Sequence, residues 1–305
     1  MQLSVIVPTL DNREQLARTL DALADHAPGE EVVVVNGPST DGTTGMVRER
    51  GDVDVLVETA DREVAAARNA GIEHASGDAV AFVDPGLSVT AEWTDAVAAG
   101  LAEADVATGP VREQLRGGVT ADRLESERVG GREVDYFNAG NVAVRRTALD
   151  ALDGFDEYLE TGSARDLAHR LPALDRTVTW RPDMSVSTEL GADGGSRDAD
   201  YGWQYRSLAY SLVKNYGVRP GVVGRLVGSP VRDALGSLRE VARGEWTASD
   251  WLGTGRDVVR GLVAGTKDGL WARTLDRTPR RNPNGRSVRS DRAVAVYRTE
   301  GVLPQ

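Results

Sequence analysis

A glycine-rich turn is the clearest candidate for chemistry in the first part of the sequence. Asn36-Gly37-Pro38-Ser39-Thr40-Asp41-Gly42-Thr43 follows a run of apolar, β-branched residues and precedes a helical pattern. Free backbone N–H groups at such a strand-to-helix turn favour anions. Gly37 and Gly42 have the spacing of a phosphate-binding Walker loop, but Thr43 stands where that loop needs lysine, and no dinucleotide-binding Gly-x-Gly-x-x-Gly occurs. A tight turn that needs small residues for steric reasons is the alternative, and the pattern alone leaves both interpretations open.

The composition restricts the other kinds of site. No cysteine occurs among the 305 residues, and the three histidines, His26, His74 and His169, are widely separated. Disulfides, thiolate catalysis and cysteine-based zinc sites are therefore excluded, and a histidine-rich metal cage is not indicated. Any bound metal must rely on oxygen ligands.

Strand-like and helix-like patterns alternate along the first part of the sequence, and the glycine-rich turn lies at the end of one predicted strand. Strands are predicted near 3–8, 31–35, 53–57 and 79–83, and helices over 11–24, 40–50 and 64–75. Such alternation predicts an α/β fold with parallel strands and right-handed crossovers. Because ligands bind beyond the carboxyl ends of such strands, we expect Pro8-Thr9, Asn36-Gly37 and Asp84-Pro85 to meet in one crevice.

The pattern is weaker beyond Trp93. Strand-like segments follow at 106–111 and 137–144, and helices are predicted from Thr147 towards 154 and over 166–174. The segment 191–196 is the clearest linker, and the charge changes sign just after it. We therefore predict a domain over 1–190, a linker over 191–200 and an extension over 201–305.

The two sides of this boundary carry opposite charge. Residues 1–200 contain 18 basic and 38 acidic residues, net −20, whereas residues 201–305 contain 18 and 9, net +9. Only Lys214 and Lys267 are lysine, so arginine supplies most of the positive charge. A basic segment of this size is typical of a surface that meets an anionic membrane or an anionic substrate.

In the order of its motifs the chain resembles the family 2 glycosyltransferases, which are nucleotide-sugar-dependent enzymes with the GT-A fold. The segments that carry the resemblance are Ser4-Val5-Ile6-Val7-Pro8-Thr9, Gly37-Pro38-Ser39-Thr40-Asp41-Gly42-Thr43, Ala67-Arg68-Asn69-Ala70-Gly71, Gly77-Asp78, Phe82-Val83-Asp84, Gly154-Phe155-Asp156-Glu157 and Asp166-Leu167-Ala168-His169-Arg170-Leu171. The resemblance covers about residues 1–190 and depends on the order of these motifs rather than on any one of them. It implies a GT-A-type mixed, mostly parallel sheet flanked by helices. The charge and the helical pattern after residue 200 predict that a basic, amphipathic helical extension follows it.

The resemblance also implies site residues. A nucleotide-sugar donor is expected to contact Pro8, Thr9, Asn36, Arg68, Asn69 and Asp84. Asp84 is further expected to hold Mg²⁺ or Mn²⁺, although the Asp-x-Asp motif of the family is reduced here to Asp84-Pro85-Gly86. Asn36 replaces an aspartate that usually contacts the nucleotide base.

The expected catalytic base is missing from its usual position. An inverting transfer needs a carboxylate that accepts the proton of the acceptor hydroxyl, but Ser163-Ala164 stands where the family has Glu-Asp. Asp166 is the first candidate because of its place in the motif. Glu160 is the second, because on a helix Asp166 would point about 200° away from Ala164. A surface charge beside Arg170 is the alternative interpretation of Asp166.

The extension contains an amphipathic helix and an arginine-rich segment. Over 251–273 six apolar residues fall within an arc of about 140°, bordered by Arg256, Arg260 and Lys267. They are Leu252, Val258, Val259, Leu262, Val263 and Leu270. This pattern is typical of a helix in the plane of a membrane, but a helix packed on the catalytic domain would show the same stripe. The six arginines in 276–292 could bind phosphates or simply be solvated.

These features predict a peripheral membrane glycosyltransferase. No apolar run reaches the roughly 18 residues that span a bilayer, and no basic n-region begins the sequence. We therefore expect the protein in the cytoplasm, on the inner face of the cell membrane, with no nucleic acid partner.

The family resemblance points to a lipid-linked glycan of the dolichol-phosphate type as the acceptor, in N-glycosylation or surface-glycan assembly. The acid-rich, lysine-poor composition also resembles that of proteins from extremely halophilic archaea. The alternative is a catalytically degenerate nucleotide-sugar-binding partner of an active transferase, because Asn36, Gly86 and Ala164 all replace functional residues.

Overall fold

Strands and helices alternate through the first third of the chain, as the sequence predicts. The computed structural model describes residues 1–113, 118–119, 123–188, 201–228 and 248–299. Its strands are β1 (Leu3–Thr9), β2 (Glu31–Asn36), β3 (Val55–Thr59), β4 (Ala79–Val83), β5 (Leu87–Val89), β6 (Val106–Thr108), β7 (Val111–Glu113), β8 (Gly118–Val119), β9 (Glu125–Val129), β10 (Arg132–Tyr136), β11 (Asn141–Arg145), β12 (Val178–Trp180), β13 (Val186–Thr188) and β14 (Ala293–Arg298). Its helices are α1 (Arg13–His26), α2 (Thr43–Arg48), α3 (Val64–His74), α4 (Trp93–Glu103), α5 (Arg146–Leu152), α6 (Ser163–Arg170), α7 (Tyr201–Tyr216), α8 (220–228) and α9 (Ala248–Leu275).

A mixed sheet of eight strands forms the centre of the described structure. Its order is β12-β6-β11-β4-β1-β2-β3-β14, in which β4, β1, β2 and β3 are parallel, and β11 and β14 run antiparallel to their neighbours. In β2, Val32 and Val34 face one hydrophobic cluster and Val33 and Val35 face the other, because helices cover both sides of the sheet. The predicted mixed, mostly parallel sheet flanked by helices is confirmed.

Two strand predictions differ from the structure. The strand expected over 106–111 is divided into β6 and β7, because Gly109 lies against the carbonyl oxygens of Arg181 and Met184, where a Cβ atom would not fit. The strand expected over 137–144 begins only at Asn141. The first difference arises from contacts between segments that are distant in sequence. The second coincides with a local turn, in which the backbone N–H of Gly140 donates to Asn138 Oδ1 and that of Asn141 donates to the carbonyl oxygen of Asn138.

Glycines on α9 allow it to lie directly against α7. A Cβ atom on Gly261, Gly265 or Gly269 would overlap the backbone of α7 at Gly202, Arg206 and Tyr210 respectively. The contacts advance in the same direction along both helices, so α7 and α9 run side by side and parallel. The glycine face of α9 therefore packs on α7, and its apolar stripe is left for another surface.

The end of the extension returns to the central sheet. β14 pairs antiparallel with β3, and Arg292 just before it is buried in ion pairs with Glu73 and Glu157, both at 2.5 Å. The prediction of a wholly helical extension is therefore incomplete, because its last described segment is a strand of the central sheet. The linker predicted at 191–200 lies outside the described residues, and the division of the chain near residue 190 stays a prediction.

Candidate active site

The carboxyl ends of β1, β2 and β3 lie close together. The backbone N–H of Gly37 donates to the carbonyl oxygen of Thr9 at 2.9 Å. A Cβ atom on Gly37 would lie 3.1 Å from the side chain of Leu10 and 3.2 Å from the carbonyl oxygen of Asp61. A larger residue would therefore require these neighbours to shift by a few tenths of an ångström. Asp84 follows β4, which pairs with β1, so it lies at the adjacent strand end. We call this region the strand-end crevice.

The loop after β2 is held closed by side-chain oxygens. Asp11, in the left-handed region at φ 51°, accepts from the backbone N–H of Thr40 at 2.7 Å, and Asp41 accepts from Arg13 and Thr43. Burial alone would raise the pKa of Asp41, but these hydrogen bonds outweigh it and the pKa lies below the ordinary value. The conformation of the glycine-rich turn is therefore held by hydrogen bonds to these side chains.

The side chain of Asn36 belongs to this closed loop. It accepts from the Ser39 hydroxyl at 2.7 Å and donates to Thr44 Oγ1 at 3.0 Å, and Thr44 donates in turn to Glu58 at 2.7 Å. Asn36 is 1% exposed. Both ends of its amide are used to join the turn to α2, so contact with a nucleotide base stays a prediction that these bonds do not favour.

Arg68 and Asp84 form the polar centre of the strand-end crevice. Arg68 Nη2 donates to Asp84 Oδ1 at 3.1 Å, and the guanidinium carbon lies 5.4 Å from the centre of the Phe155 ring. Arg68 is 4% exposed, whereas the side chain of Asp84 is 41% exposed. The Nε atom of Arg68 and the hydroxyl of Thr9 are buried and have no hydrogen-bond partner among the described residues. Buried polar atoms normally find partners, so these two have unused hydrogen-bonding capacity.

Asn69 has a structural role instead of the predicted contact with the donor. Its side-chain nitrogen donates to the carbonyl oxygen of Phe155 at 3.0 Å and to Glu157 at 2.6 Å, and its oxygen accepts from the backbone N–H of Phe155 at 2.8 Å. It is fully buried. Because every amide group is used within the protein, Asn69 fixes the 154–157 loop on α3, and its predicted place among the donor-binding residues is not supported.

The carboxylates of the crevice fit at most one contact to a divalent ion. No group of three or more Asp, Glu, His or Cys side chains with metal-binding geometry occurs among the described residues. Asp84 Oδ1 is bonded to Arg68, which leaves Oδ2 beside Gly140, where a Cβ atom would lie only 2.6 Å away. Mg²⁺ is commonly held by one or two carboxylates together with substrate phosphates and water. Asp84 Oδ2 fits that pattern as a single protein ligand.

Asp166 is fully buried in a network of charges, which argues against its predicted role as the base. Its carboxylate accepts from Lys214 at 2.8 Å, from Arg170 at 2.8 Å and from Asn215 at 2.9 Å. Burial would raise its pKa, but Lys214 and Arg170 outweigh this and the pKa lies below the ordinary value. A carboxylate so stabilised and so enclosed has no free position for an acceptor hydroxyl.

Glu160 differs from the other carboxylates in the loop before α6. Asp156 is buried and accepts from Lys214 at 2.6 Å and from Tyr210 at 2.8 Å, and Glu157 is paired with two arginines. Glu160 is exposed, and no hydrogen bond or ion pair to it occurs among the described residues. Of the acids in this loop, it is the one whose lone pairs are available to a substrate. It therefore remains the candidate base.

The sequence of the segment that forms the crevice matches one known protein family. The Glycosyl transferase family 2 model matches residues 4–150, the part of the chain that supplies β1 to β4 and the crevice. Residues 4–150 are thus similar to a Glycosyl transferase family 2 domain. Glycosyltransferase AglE of Haloferax volcanii is 28% identical over 198 residues, which cover 59% of this chain and 64% of AglE. A pre-mycofactocin glycosyltransferase of Mycobacterium tuberculosis is 26% identical over 226 residues, 68% of this chain and 47% of that protein. The chain thus spans less than two thirds of the length of either relative.

Solved structures confirm the GT-A-type fold. A fragment of S. aureus TarS in complex with UDP-GlcNAc superposes with a TM-score of 0.63 at 18% identity, covering 91% of this chain and 92% of the fragment. The mannosyltransferase PcManGT from Pyrobaculum calidifontis, in complex with GDP-Man and Mn²⁺, gives 0.56 at 20% identity, covering 88% and 87%. Both likenesses extend beyond residues 4–150, so the fold includes much of the extension.

The interpretation of the sequence missed the buried cation that organises the site region. Lys214 lies on α7, outside the motifs of the family, and joins Asp156 to Asp166. One signal could have identified it. Lys214 is one of only two lysines in a chain whose other basic residues are arginine, and it occurs in the apolar segment Leu208–Tyr216.

Proposed function

We propose that this chain transfers a sugar from a nucleotide-sugar donor to a lipid-linked glycan at a membrane surface. Binding of the nucleotide-sugar donor is supported by the buried guanidinium of Arg68 at the strand-end crevice. Its Nε atom has no hydrogen-bond partner among the described residues. A diphosphate leaving group needs positive charge where its own negative charge develops. Pro8, Thr9, Arg68 and Asp84 are the residues that we assign to the donor.

We propose that the transfer is an in-line displacement with inversion. The acceptor oxygen bonds to the anomeric carbon of the sugar while the bond from that carbon to the diphosphate breaks, and the nucleoside diphosphate leaves with the electron pair. Glu160 takes the proton of the acceptor hydroxyl. Arg68 faces the charge on the diphosphate. A Mg²⁺ or Mn²⁺ ion, when bound at Asp84, would add positive charge against the same oxygens.

An exposed apolar face on the extension supports the membrane half of the proposal. Val259, Val263, Leu270 and Trp271 on α9 are 43–66% exposed, and Val227 on α8 is 59% exposed. Contiguous exposed apolar surface of this kind marks an interaction site, and the net positive charge after residue 200 suits an anionic bilayer. No helix in the described part of the chain is long and apolar enough to cross a bilayer. We therefore propose peripheral docking on the inner face of the membrane.

The acceptor class follows from this location and from the family. A lipid-linked glycan of the dolichol-phosphate type, in N-glycosylation or surface-glycan assembly, would present its growing end at the surface on which α8 and α9 dock. The second candidate is a degenerate nucleotide-sugar-binding partner of an active transferase. Ala164 at the usual position of the base and the burial of Asp166 favour that candidate.

A transfer assay with a panel of nucleotide-sugars and a lipid-linked acceptor separates the two candidates. Glu160→Gln should lower kcat about 10²–10⁴-fold, the usual contribution of a general base, and leave nucleotide affinity unchanged. The matched control is Glu133→Gln on β10, which removes an exposed carboxylate outside the crevice. Donor binding without transfer in the wild type would favour the degenerate partner, and equal rates in Glu160→Gln and Glu133→Gln would exclude Glu160 as the base.

Vesicle flotation tests the docking half. A Val263→Ser, Trp271→Ser double variant should release the protein from anionic vesicles, because the insertion of these side chains contributes to binding. Val294→Ser is the control, since Val294 is 71% exposed on β14, an edge strand of the central sheet. Equal flotation of the double variant and the wild type would contradict docking through this face.

A further inference from the structure

A cavity outside the strand-end crevice is lined by five arginines. Its volume is about 280 Å³, and it lies between the β9–β10 hairpin, the end of α7 and the segment after α9. The arginines are Arg132, Arg219, Arg273, Arg277 and Arg281. We call it the arginine pocket. No Asp or Glu is among the described residues that line it.

Two of these arginines are held in place by backbone carbonyl groups. Arg273 Nη1 donates to the carbonyl oxygens of Lys214 and Asn215 at 2.9 and 3.1 Å, at the end of α7. Arg281 Nη1 donates to the carbonyl oxygens of Arg273 and Asp276 at 3.1 and 2.8 Å. These bonds fix the orientation of the guanidinium groups but do not neutralise their charge.

The other arginines of the pocket have no acidic partner, in contrast to their neighbours in sequence. Arg280, Arg286, Arg289 and Arg292 each form an ion pair with a carboxylate. No ion pair of Arg132, Arg219 or Arg277 with a carboxylate occurs among the described residues. In a chain with an excess of acidic residues, a cluster of arginines without a carboxylate partner among the described residues is a candidate site for an anion.

The charge in the pocket is mutually repulsive. Burial, followed by the positive charges of Arg281, Arg219 and Arg132, lowers the pKa of Arg273 below its ordinary value. A bound anion would remove this repulsion. Arginine is suited to this task because its planar fork of N–H donors matches two phosphate oxygens at once.

An apolar groove begins one helical turn from the pocket. It lies between α8 and α9, has a volume of about 960 Å³, and is lined by apolar side chains that include Leu226, Val227, Leu262, Val263, Leu270 and Trp271. Trp271 and Thr274 line the groove, whereas Arg273 and Arg277 line the pocket. A phosphate group and an apolar chain joined to it could therefore be bound side by side.

We propose that the arginine pocket binds the phosphate or diphosphate headgroup of a membrane lipid whose chain lies along this groove. The assignment of a lipid rests on the proposed docking of α8 and α9, whereas the anion site does not. The pocket shares no residue with the strand-end crevice. The crevice is formed at the ends of β1, β2, β3 and β4, whereas the pocket is formed by the β9–β10 hairpin, the end of α7 and the segment from Arg273 to Arg281, so the two sites are built from different elements.

Calorimetry with inorganic pyrophosphate tests the anion site in the full chain. An Arg219→Gln, Arg277→Gln double variant should bind pyrophosphate at least about tenfold more weakly, because it loses two charge-assisted contacts. Both positions are exposed, so the fold should be retained, and thermal unfolding checks this. Arg260→Gln, Arg298→Gln is the matched control, which removes equal charge elsewhere. Equal affinity in both double variants, or no binding by the wild type, would overturn the proposal.

A variant of the donor site shows whether pyrophosphate binds in the arginine pocket or in the strand-end crevice. Arg68→Gln should retain binding of pyrophosphate at the arginine pocket, whatever its effect on a nucleotide-sugar. Loss of all pyrophosphate binding in Arg68→Gln would assign the anion to the strand-end crevice and overturn the pocket. These experiments measure binding and not turnover. A protein without transferase activity could therefore still bind pyrophosphate in the arginine pocket, and the pocket proposal can hold even if the proposed function is wrong.

Vesicle flotation distinguishes a lipid headgroup from a free anion. Phosphatidylcholine vesicles that contain a polyprenyl diphosphate are compared with vesicles of equal charge that contain phosphatidylglycerol. The wild type and the control variant should prefer the polyprenyl diphosphate, the pocket variant should lose that preference, and pyrophosphate should compete. Binding of pyrophosphate without any preference between the vesicles would overturn the lipid assignment and identify a soluble phosphate compound as the ligand.

Discussion

The end of α7 borders two clusters of charge that differ in how they are balanced. On one side, Lys214 is fully buried between Asp156 and Asp166, with Nζ–oxygen distances of 2.6 and 2.8 Å. On the other side, Asn215 and Tyr216 form part of the wall of the arginine pocket, which has no carboxylate among its described residues. Neighbouring residues of one helix therefore face a completed ionic network and an incomplete one.

This difference separates charges that build the fold from charges that await a ligand. A buried charge is tolerated only when it is paired and hydrogen-bonded, and the network around Lys214 meets that condition through Asn215, Arg170 and Tyr210. In the arginine pocket and at Arg68 in the strand-end crevice the donors exceed the acceptors. We infer that completed networks hold α7 on the domain and that incomplete ones bind anions.

Removal of the central cation should have the largest effect. Lys214→Met leaves two buried carboxylates without their shared partner, and breaking a buried ion pair in this way costs about 3–5 kcal/mol of the free energy of unfolding. Urea unfolding measures it. Lys267→Met is the matched control, because Lys267 is an exposed lysine on α9. Equal unfolding midpoints for the two variants would show that the network around Lys214 does not hold α7.

His169 gives the next largest effect, through pH. It is 4% exposed between the hydroxyls of Tyr216, at 3.0 Å, and Tyr136, at 3.4 Å, and burial lowers its pKa to about 4 although Asp166 acts in the opposite direction. Since the unfolded chain binds this proton more readily, stability is complete above about pH 6.5 and falls as the pH is lowered towards 4.

The expected loss through His169 is on the order of 3 kcal/mol at pH 4. In His169→Gln this contribution is absent, so the free energy of unfolding should fall less between pH 7 and pH 4 than in the wild type. Unfolding by urea at a series of pH values measures the difference. His26→Gln, at an exposed histidine, should follow the wild type. Parallel curves for wild type and His169→Gln would contradict the lowered pKa.

The strand-end crevice could be predicted from sequence because it depends on local order and on a general rule of α/β sheets. Pro8 and Thr9 end β1 and Asp84 follows β4, and parallel strands place their carboxyl ends at one edge. The roles of Asn69 and Asp166 could not be predicted in this way. Their partners lie far along the chain, 86 residues away at Phe155 and 48 residues away at Lys214.

The same limit explains the arginine-rich segment after α9. Its composition left phosphate binding and simple solvation open, because the partners of each arginine are chosen by the fold. Arg286 and Arg289 meet carboxylates of other elements, Asp150 and Asp61, whereas Arg277 meets none among the described residues. The role of the glycines of α9 could not be predicted from sequence either, because it depends on the packing of α7 against them.

A variant of Arg68 should affect nucleotide binding more than stability, in contrast to a variant of Lys214. Arg68→Gln should weaken binding of UDP or GDP about tenfold, because the guanidinium loses a charge-assisted contact with the diphosphate. It should change stability little, because its partner Asp84 has a side chain that is 41% exposed and thus well solvated. Calorimetry measures the first effect and urea unfolding the second. Unchanged nucleotide affinity, with Arg298→Gln as the control, would remove Arg68 from the donor site.

The smallest effect has the opposite sign and is the most direct test of the comparison. Arg219→Gln removes one charge from a set of like charges, so the free energy of unfolding should stay the same or rise by at most about 1 kcal/mol. Because the repulsion acts between largely exposed groups, added salt should reduce any gain, and added pyrophosphate should stabilise the wild type more than the variant. Thermal unfolding with and without pyrophosphate measures both. If Arg219→Gln instead destabilised the protein as Lys214→Met does, the arginine pocket would be part of the folded framework, and its charges would have partners within the chain.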